Sequence, residues 1–127
     1  YRIIMKILKN SFYFSNIIII IFYLYPGSIS GCFLYNDCFI QPQLTRDFIV
    51  SSNHVYVFFI LSTLGFISFS KNIKKITYYL ILLSIVLELL HTIIPNRSFE
   101  VEDLLGNILG VLLSLILFKL FIFRRLK

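Results

Sequence analysis

Glu88, His91, Arg97, Asp103 and Asn107 crowd into one short stretch of a chain that is 58% hydrophobic and only 14% charged. His54 stands at the edge of a separate apolar run. Glu88 lies inside the run Ile76–Ile94, where an ionisable side chain is costly and therefore marks a functional site. Three kinds of chemistry are open to such a set. Glu-x-x-His places two ligands on one helix face, and His54 and Asp103 would complete a four-ligand metal site. Glu88 as general base with Arg97 as an anion clamp would describe an enzyme acting on an envelope lipid. The preferred reading is a hydrogen-bonded or ligand-binding network that joins helices and satisfies each buried charge. On that reading no resident metal or cofactor is expected and no catalytic residue is assigned. Arg97 serves equally well as a phosphate or carboxylate contact and as an interfacial partner of Asp103.

The elements that must carry these residues are hydrophobic. Mean hydropathy is +0.88, far above a soluble protein. Four apolar blocks, at about 12–25, 54–70, 76–94 and 104–123, approach the length of about 20 residues that a spanning helix needs. The run Ile17–Tyr25 is apolar all round, without the polar face of a soluble surface helix. Tyr25, Tyr78 and Tyr79 suit membrane interfaces. The expectation is one domain, 1–127: an all-α bundle of four transmembrane helices.

Net charge is +6, but its distribution speaks against nucleic acid. Arg2, Lys6 and Lys9 precede the first block. Lys71, Lys74 and Lys75 lie between the second and third, and Lys119, Arg124, Arg125 and Lys127 close the chain. If all four blocks span, ten of the twelve basic residues fall on one side. Arg46 and Arg97 share the other side with Asp37, Asp47, Glu100, Glu102 and Asp103. This is the positive-inside pattern, with both termini cytoplasmic. The six site residues then lie together at the outer leaflet. Glu88 sits about 9 Å in from the end of its block at 1.5 Å per residue. Glu88 and His91, and likewise Asp103 and Asn107, share a helix face.

The ordered set His54-Val-Tyr-Val-Phe-Phe, Leu87-Glu88-Leu-Leu-His91-Thr-Ile-Ile-Pro95-Asn-Arg97-Ser-Phe99 and Asp103-Leu-Leu-Gly-Asn107-Ile-Leu-Gly110 resembles the VanZ-like family of small bacterial membrane proteins. That resemblance covers the last three blocks well and the first by general character. It departs at His91, where the family usually has glutamine, and at Val50-Ser51, where the family usually has an Asp-Lys pair. The resemblance implies a cell-envelope protein whose namesake is associated with resistance to teicoplanin-type glycopeptides, and it brings no reaction with it. Its expected partners are the lipid bilayer and an anionic envelope lipid or peptidoglycan precursor. An accessory subunit packed against a larger membrane complex is the other non-enzymatic reading.

Three further features bear on architecture. Gly106, Gly110 and Ser114 form a small-xxx-small stripe that predicts close packing against a neighbouring helix of the same chain. Cys32 and Cys38 share the long outer loop, in a compartment that permits a disulfide. Ile29-Ser30-Gly31-Cys32 looks like a lipoprotein cleavage box, but Pro26-Gly27 breaks the usual spacing, so an uncleaved anchor is expected. A short interfacial segment is expected at Leu44–Val50. Gly-rich phosphate loops and Ser/His/Asp nucleophile sets do not occur.

Overall fold

Nothing interrupts helix formation from Arg2 until Pro26, and one helix, α1 (Arg2–Leu24), fills that interval. The computed structural model describes residues 1–43, 45–47 and 49–125. Among these the remaining elements are α2 (Ile29–Tyr35), α3 (Ser52–Ser68), a 3-10 turn Ser70–Asn72, α4 (Ile73–Leu90) and α5 (Val101–Arg125), with no strand. The all-helical class matches the sequence reading. The helices α1 and α5 are long and apolar enough to cross a membrane; α3 is apolar but shorter.

The element bounds differ from the hydropathy blocks for physical reasons. Lys6 and Lys9 end the first apolar block, yet lysine is a good helix former, so α1 starts ten residues before it. Lys74 and Lys75, read as part of a turn, lie in the first turn of α4. At its other end α4 stops at Leu90 rather than Ile94, and His91 is its C-cap. The loop that follows turns at Pro95-Asn96, with Asn96 left-handed at φ 63°, a conformation asparagine tolerates.

The helix α2 has no counterpart in the hydropathy pattern. Ser28 Oγ accepts the Gly31 N–H at 2.9 Å as its N-cap, and the left-handed Asn36 ends it. Cys32 and Cys38 are joined by a disulfide across this end, and Ser28 N–H donates to the Cys38 carbonyl at 2.6 Å. Of the segment expected at 44–50, Leu44 and Phe48 lie outside the described residues; the other members form no helix. Asp47 caps α3, its Oδ1 accepting the Ser52 N–H at 3.0 Å and the Ser52 hydroxyl at 3.1 Å. That backbone N–H holds the Asp47 carboxyl below the usual carboxylate range. Its stabilising effect is therefore complete above the unfolded carboxylate range and fades as pH falls through the lowered folded value.

The centre of the fold is the packing of α5 on α3. Gly106 lies against the Ser51 carbonyl and Gly110 against the Val55 carbonyl, where an added Cβ would sit 2.7 and 2.6 Å from those oxygens. One and two turns further along, Ser114 Oγ meets Thr63 Oγ1 at 2.8 Å. The buried apolar core runs through Phe12, Tyr23, Phe58, Leu61, Phe66, Leu80, Leu87 and Val111. A polar tie joins α4 to α1: Tyr79 donates to Asn16 Oδ1 at 2.6 Å, which explains why Tyr79 leans inward while Tyr78 stays 72% exposed. Ile17, Ile21, Ile60, Leu82 and Ile116 face outward. Aliphatic surface of that extent suits lipid rather than water.

Candidate functional site

His54 enters from the first turn of α3, Glu88 and His91 from the end of α4, and Asp103 and Asn107 from the start of α5. Because α3 and α5 start at the same end of the bundle where α4 finishes, all five side chains meet there. Tyr23, in the last turn of α1, completes the group. Its hydroxyl lies 3.0 Å from His54 Nδ1 and donates to Asn107 Oδ1 at 3.0 Å. His54 Nδ1 is 2.8 Å from the same Asn107 oxygen. With an amide oxygen facing it, Nδ1 is the protonated ring nitrogen, and Nε2 turns its lone pair toward Asp103 Oδ1, 3.7 Å away.

Glu88 is fully buried. Its Oε1 accepts the Glu100 N–H at 3.2 Å and lies 3.2 Å from His91 Nδ1. His91 Nε2 points at the Tyr23 carbonyl, 2.8 Å away. A carbonyl only accepts, so Nε2 carries hydrogen. The hydrogen between Nδ1 and Oε1 is then shared by an imidazolium–carboxylate or an imidazole–carboxylic acid pair, neutral in either form. The Tyr23 ring stacks on His91, with centroids 6.0 Å apart, and meets His54 edge-on at 4.9 Å.

Among the described residues Arg97 pairs with backbone carbonyls and not with Asp103. Its Nε donates to the Tyr25 carbonyl at 3.1 Å, and its Nη2 donates to the Phe22 and Gly27 carbonyls at 3.1 and 2.6 Å. These oxygens belong to the last turn of α1 and the residues after it, where helix carbonyls lack partners and positive charge is favoured. Arg97 therefore ties the loop after α4 to the end of α1. Partial burial draws its pKa below the ordinary arginine value, against the opposing pull of Asp103; arginine stays charged regardless. Arg97→Ala should cost about 2 kcal/mol, as expected for hydrogen bonds to a charged group, read as a lowered detergent melting temperature. Arg97→Lys should recover only part, since lysine lacks the fork. An unchanged melting temperature in Arg97→Ala would count against this tie.

A cavity of about 640 Å³ opens beside the network. Ile18, Ile19, Phe22, Val57 and Ile60 form an apolar wall, and His54, Arg97, Glu100, Asp103 and Asp47 gather at its polar end. Glu88, His91 and Asn107 do not line it and are fully buried or nearly so. A family model described as VanZ/LLP1 matches residues 6–123, nearly the whole chain. The chain belongs to the VanZ/LLP1 family. Membership together with two apolar helices of spanning length makes it a membrane protein of that family. Comparison with the curated proteins and with the solved structures finds no match.

Within this VanZ-family site, each of His54, Glu88 and Asp103 offers a ligand atom, and the three lie within 4.8 Å of one another. His91 is not among them; its nitrogens face Glu88 Oε1 and the Tyr23 carbonyl. Sequence reasoning missed Tyr23, which touches three members of the network. Its residue type gave no warning among aromatic and aliphatic neighbours. The one available signal was position: a tyrosine two residues inside the end of an apolar block, close to the level assigned to Glu88.

Proposed function

We propose that this is a four-span envelope protein of the bacterial plasma membrane, N-in and C-in, whose outer-leaflet cavity holds an anionic amphiphile such as an envelope lipid or peptidoglycan precursor. Tolerance of teicoplanin-type glycopeptides would follow from shielding that component. The observation that carries the reading is the cavity's polarity gradient: aliphatic side chains along α1 and α3, then Arg97 and His54 among Asp47, Glu100 and Asp103 at the polar end, with Arg97 as the contact for the anion. Apolar walls with a few convergent polar groups are the usual form of a ligand site. The catalytic alternative is weaker, because Glu88 is fully buried and its Oε1 is already engaged.

The orientation rests on the basic residues at both termini and at Lys71–Lys75. A cysteine placed at residue 73 should resist a membrane-impermeant thiol reagent in intact cells, whereas one at 98 should react. The reverse labelling would sink the topology. For the ligand, the full chain in nanodiscs of mixed zwitterionic lipid and phosphatidylglycerol should retain the anionic lipid preferentially in native mass spectra. Ile60→Trp, which fills the cavity from an outward-facing position, should remove that preference without unfolding the protein. Equal retention of both lipids, or indifference to Ile60→Trp, would defeat the reading.

A further inference from the structure

The polar end of the cavity contains an electrostatic arrangement that the protein's own hydrogen bonds do not resolve. Glu88 Oε2 is buried and has no hydrogen-bond partner, although its residue is fully enclosed. An unpaired buried carboxylate oxygen is expensive. Near it, His54 is held by Asn107 and Tyr23 so that Nδ1 is the donor and Nε2 presents a lone pair. The Asp103 oxygen that Nε2 faces also carries lone pairs. At 3.7 Å the two atoms are too far apart for a hydrogen bond, and a cation shared between the two lone pairs would fit that spacing. Ligand–metal bonds of about 2.0–2.2 Å place neighbouring ligands roughly 3–4 Å apart; the three ligand atoms here lie within 4.8 Å of one another, so they must draw together slightly to close on one ion.

We propose that His54, Glu88 and Asp103 bind one divalent transition cation of the Zn2+ or Mn2+ class. The donor set, one imidazole nitrogen and two carboxylate oxygens, selects this class: imidazole disfavours magnesium and calcium, and the absence of thiolate disfavours copper(I). Asn107 is a positioning residue. Its oxygen accepts the Nδ1 hydrogen and fixes the ring, the usual outer partner of a metal-bound histidine. The ligands come from three helices, α3, α4 and α5, so the ion also clips the bundle together. His54 and Asp103 line the cavity, and Glu88 is the buried ligand. Three protein ligands leave coordination open on the cavity side, where carboxylates otherwise outnumber Arg97.

The test uses the full chain purified in detergent, stripped with a chelator and titrated calorimetrically with Zn2+ alone and Mn2+ alone. One ion per chain should bind, the melting temperature should rise with metal, and Mn2+ should give an electron paramagnetic resonance signal of an immobilised site. Asp103→Asn and His54→Ala should each weaken binding at least 10-fold. Asn107→Leu should weaken it about 10- to 100-fold, the range for loss of such outer partners. Glu102→Gln, one residue from the set on an exposed side chain, should bind as the parent does. If His54→Ala fails to fold, Asp103→Asn, close to isosteric, decides alone. Absence of saturable binding of either ion below millimolar concentration would overturn the proposal, as would parental affinity in Asp103→Asn. Lipid plays no part in this measurement, so the amphiphile reading can fail while the cation site stands, and the reverse.

Discussion

Gly110→Leu should lower the detergent melting temperature by about 10 °C or more, one of the largest effects expected of any single substitution here. Even a Cβ at this position would come within 2.6 Å of the Val55 carbonyl, 2.9 Å of the Phe59 nitrogen and 3.1 Å of Phe58 Cβ. Two of those three atoms are backbone of α3 and cannot rotate away. A leucine would force α5 off α3 along the principal helix contact of the fold. Overpacking costs typically 1–3 kcal/mol and sometimes more. The upper end applies, because the obstacle is a helix backbone, and about 3 kcal/mol corresponds to roughly 10 °C in a domain of this size. Leu117→Phe, on an exposed position of the same helix, adds bulk without this obstacle and should melt as the parent does. A melting temperature for Gly110→Leu within a degree or two of Leu117→Phe would refute the close approach. The substitution should also weaken the cation site, since His54 rides on α3 and Asn107 and Asp103 on α5.

The stripe Gly106-Gly110-Ser114 was legible because small residues four apart have few other uses in an apolar helix. The grouping of His54, Glu88, His91, Asp103 and Asn107 was legible for a related reason: polar residues at one depth in a hydrophobic chain must find each other. Orientation within that group was not. Whether Arg97 meets Asp103, an anion or helix carbonyls depends on where the end of α1 lies, and the sequence spacing between residues 25 and 97 carries no such information. The helix α2 was hidden for another reason. Its order comes from Ser28, the Cys32–Cys38 link and Asn36, local devices that a hydropathy pattern averages away. The start of α1 was hidden because charge delimits an apolar block without delimiting a helix. Tyr23 shows the limit most clearly, since hydrophobic pattern cannot separate a lipid-facing aromatic from one whose hydroxyl organises a buried network.

His91→Leu should destabilise the protein by about 3–5 kcal/mol, while His91→Gln should cost far less. His91 is 1% exposed, and its two nitrogens serve two buried acceptors, Glu88 Oε1 and the Tyr23 carbonyl. Leucine fills similar space but strands both. Glu88 would keep only the Glu100 N–H on one oxygen, and breaking one side of a buried polar pair costs in the range given. Glutamine has a donor amide and an acceptor oxygen, so it can serve the Tyr23 carbonyl or the Glu88 carboxyl, and it is the residue the family resemblance puts at this position. The double variant Glu88→Leu/His91→Leu should be more stable than His91→Leu alone, because removing the second partner also removes the stranded charge. Denaturant or thermal unfolding of the parent, Glu88→Leu, His91→Leu and the double variant in chelator, which excludes any contribution from a bound cation, gives a double-mutant cycle. A coupling energy of about 2 kcal/mol or more is expected. Additive losses in the double variant, or equal losses for His91→Leu and His91→Gln, would mean that His91 contributes by packing on Tyr23 and not by sharing a hydrogen with Glu88.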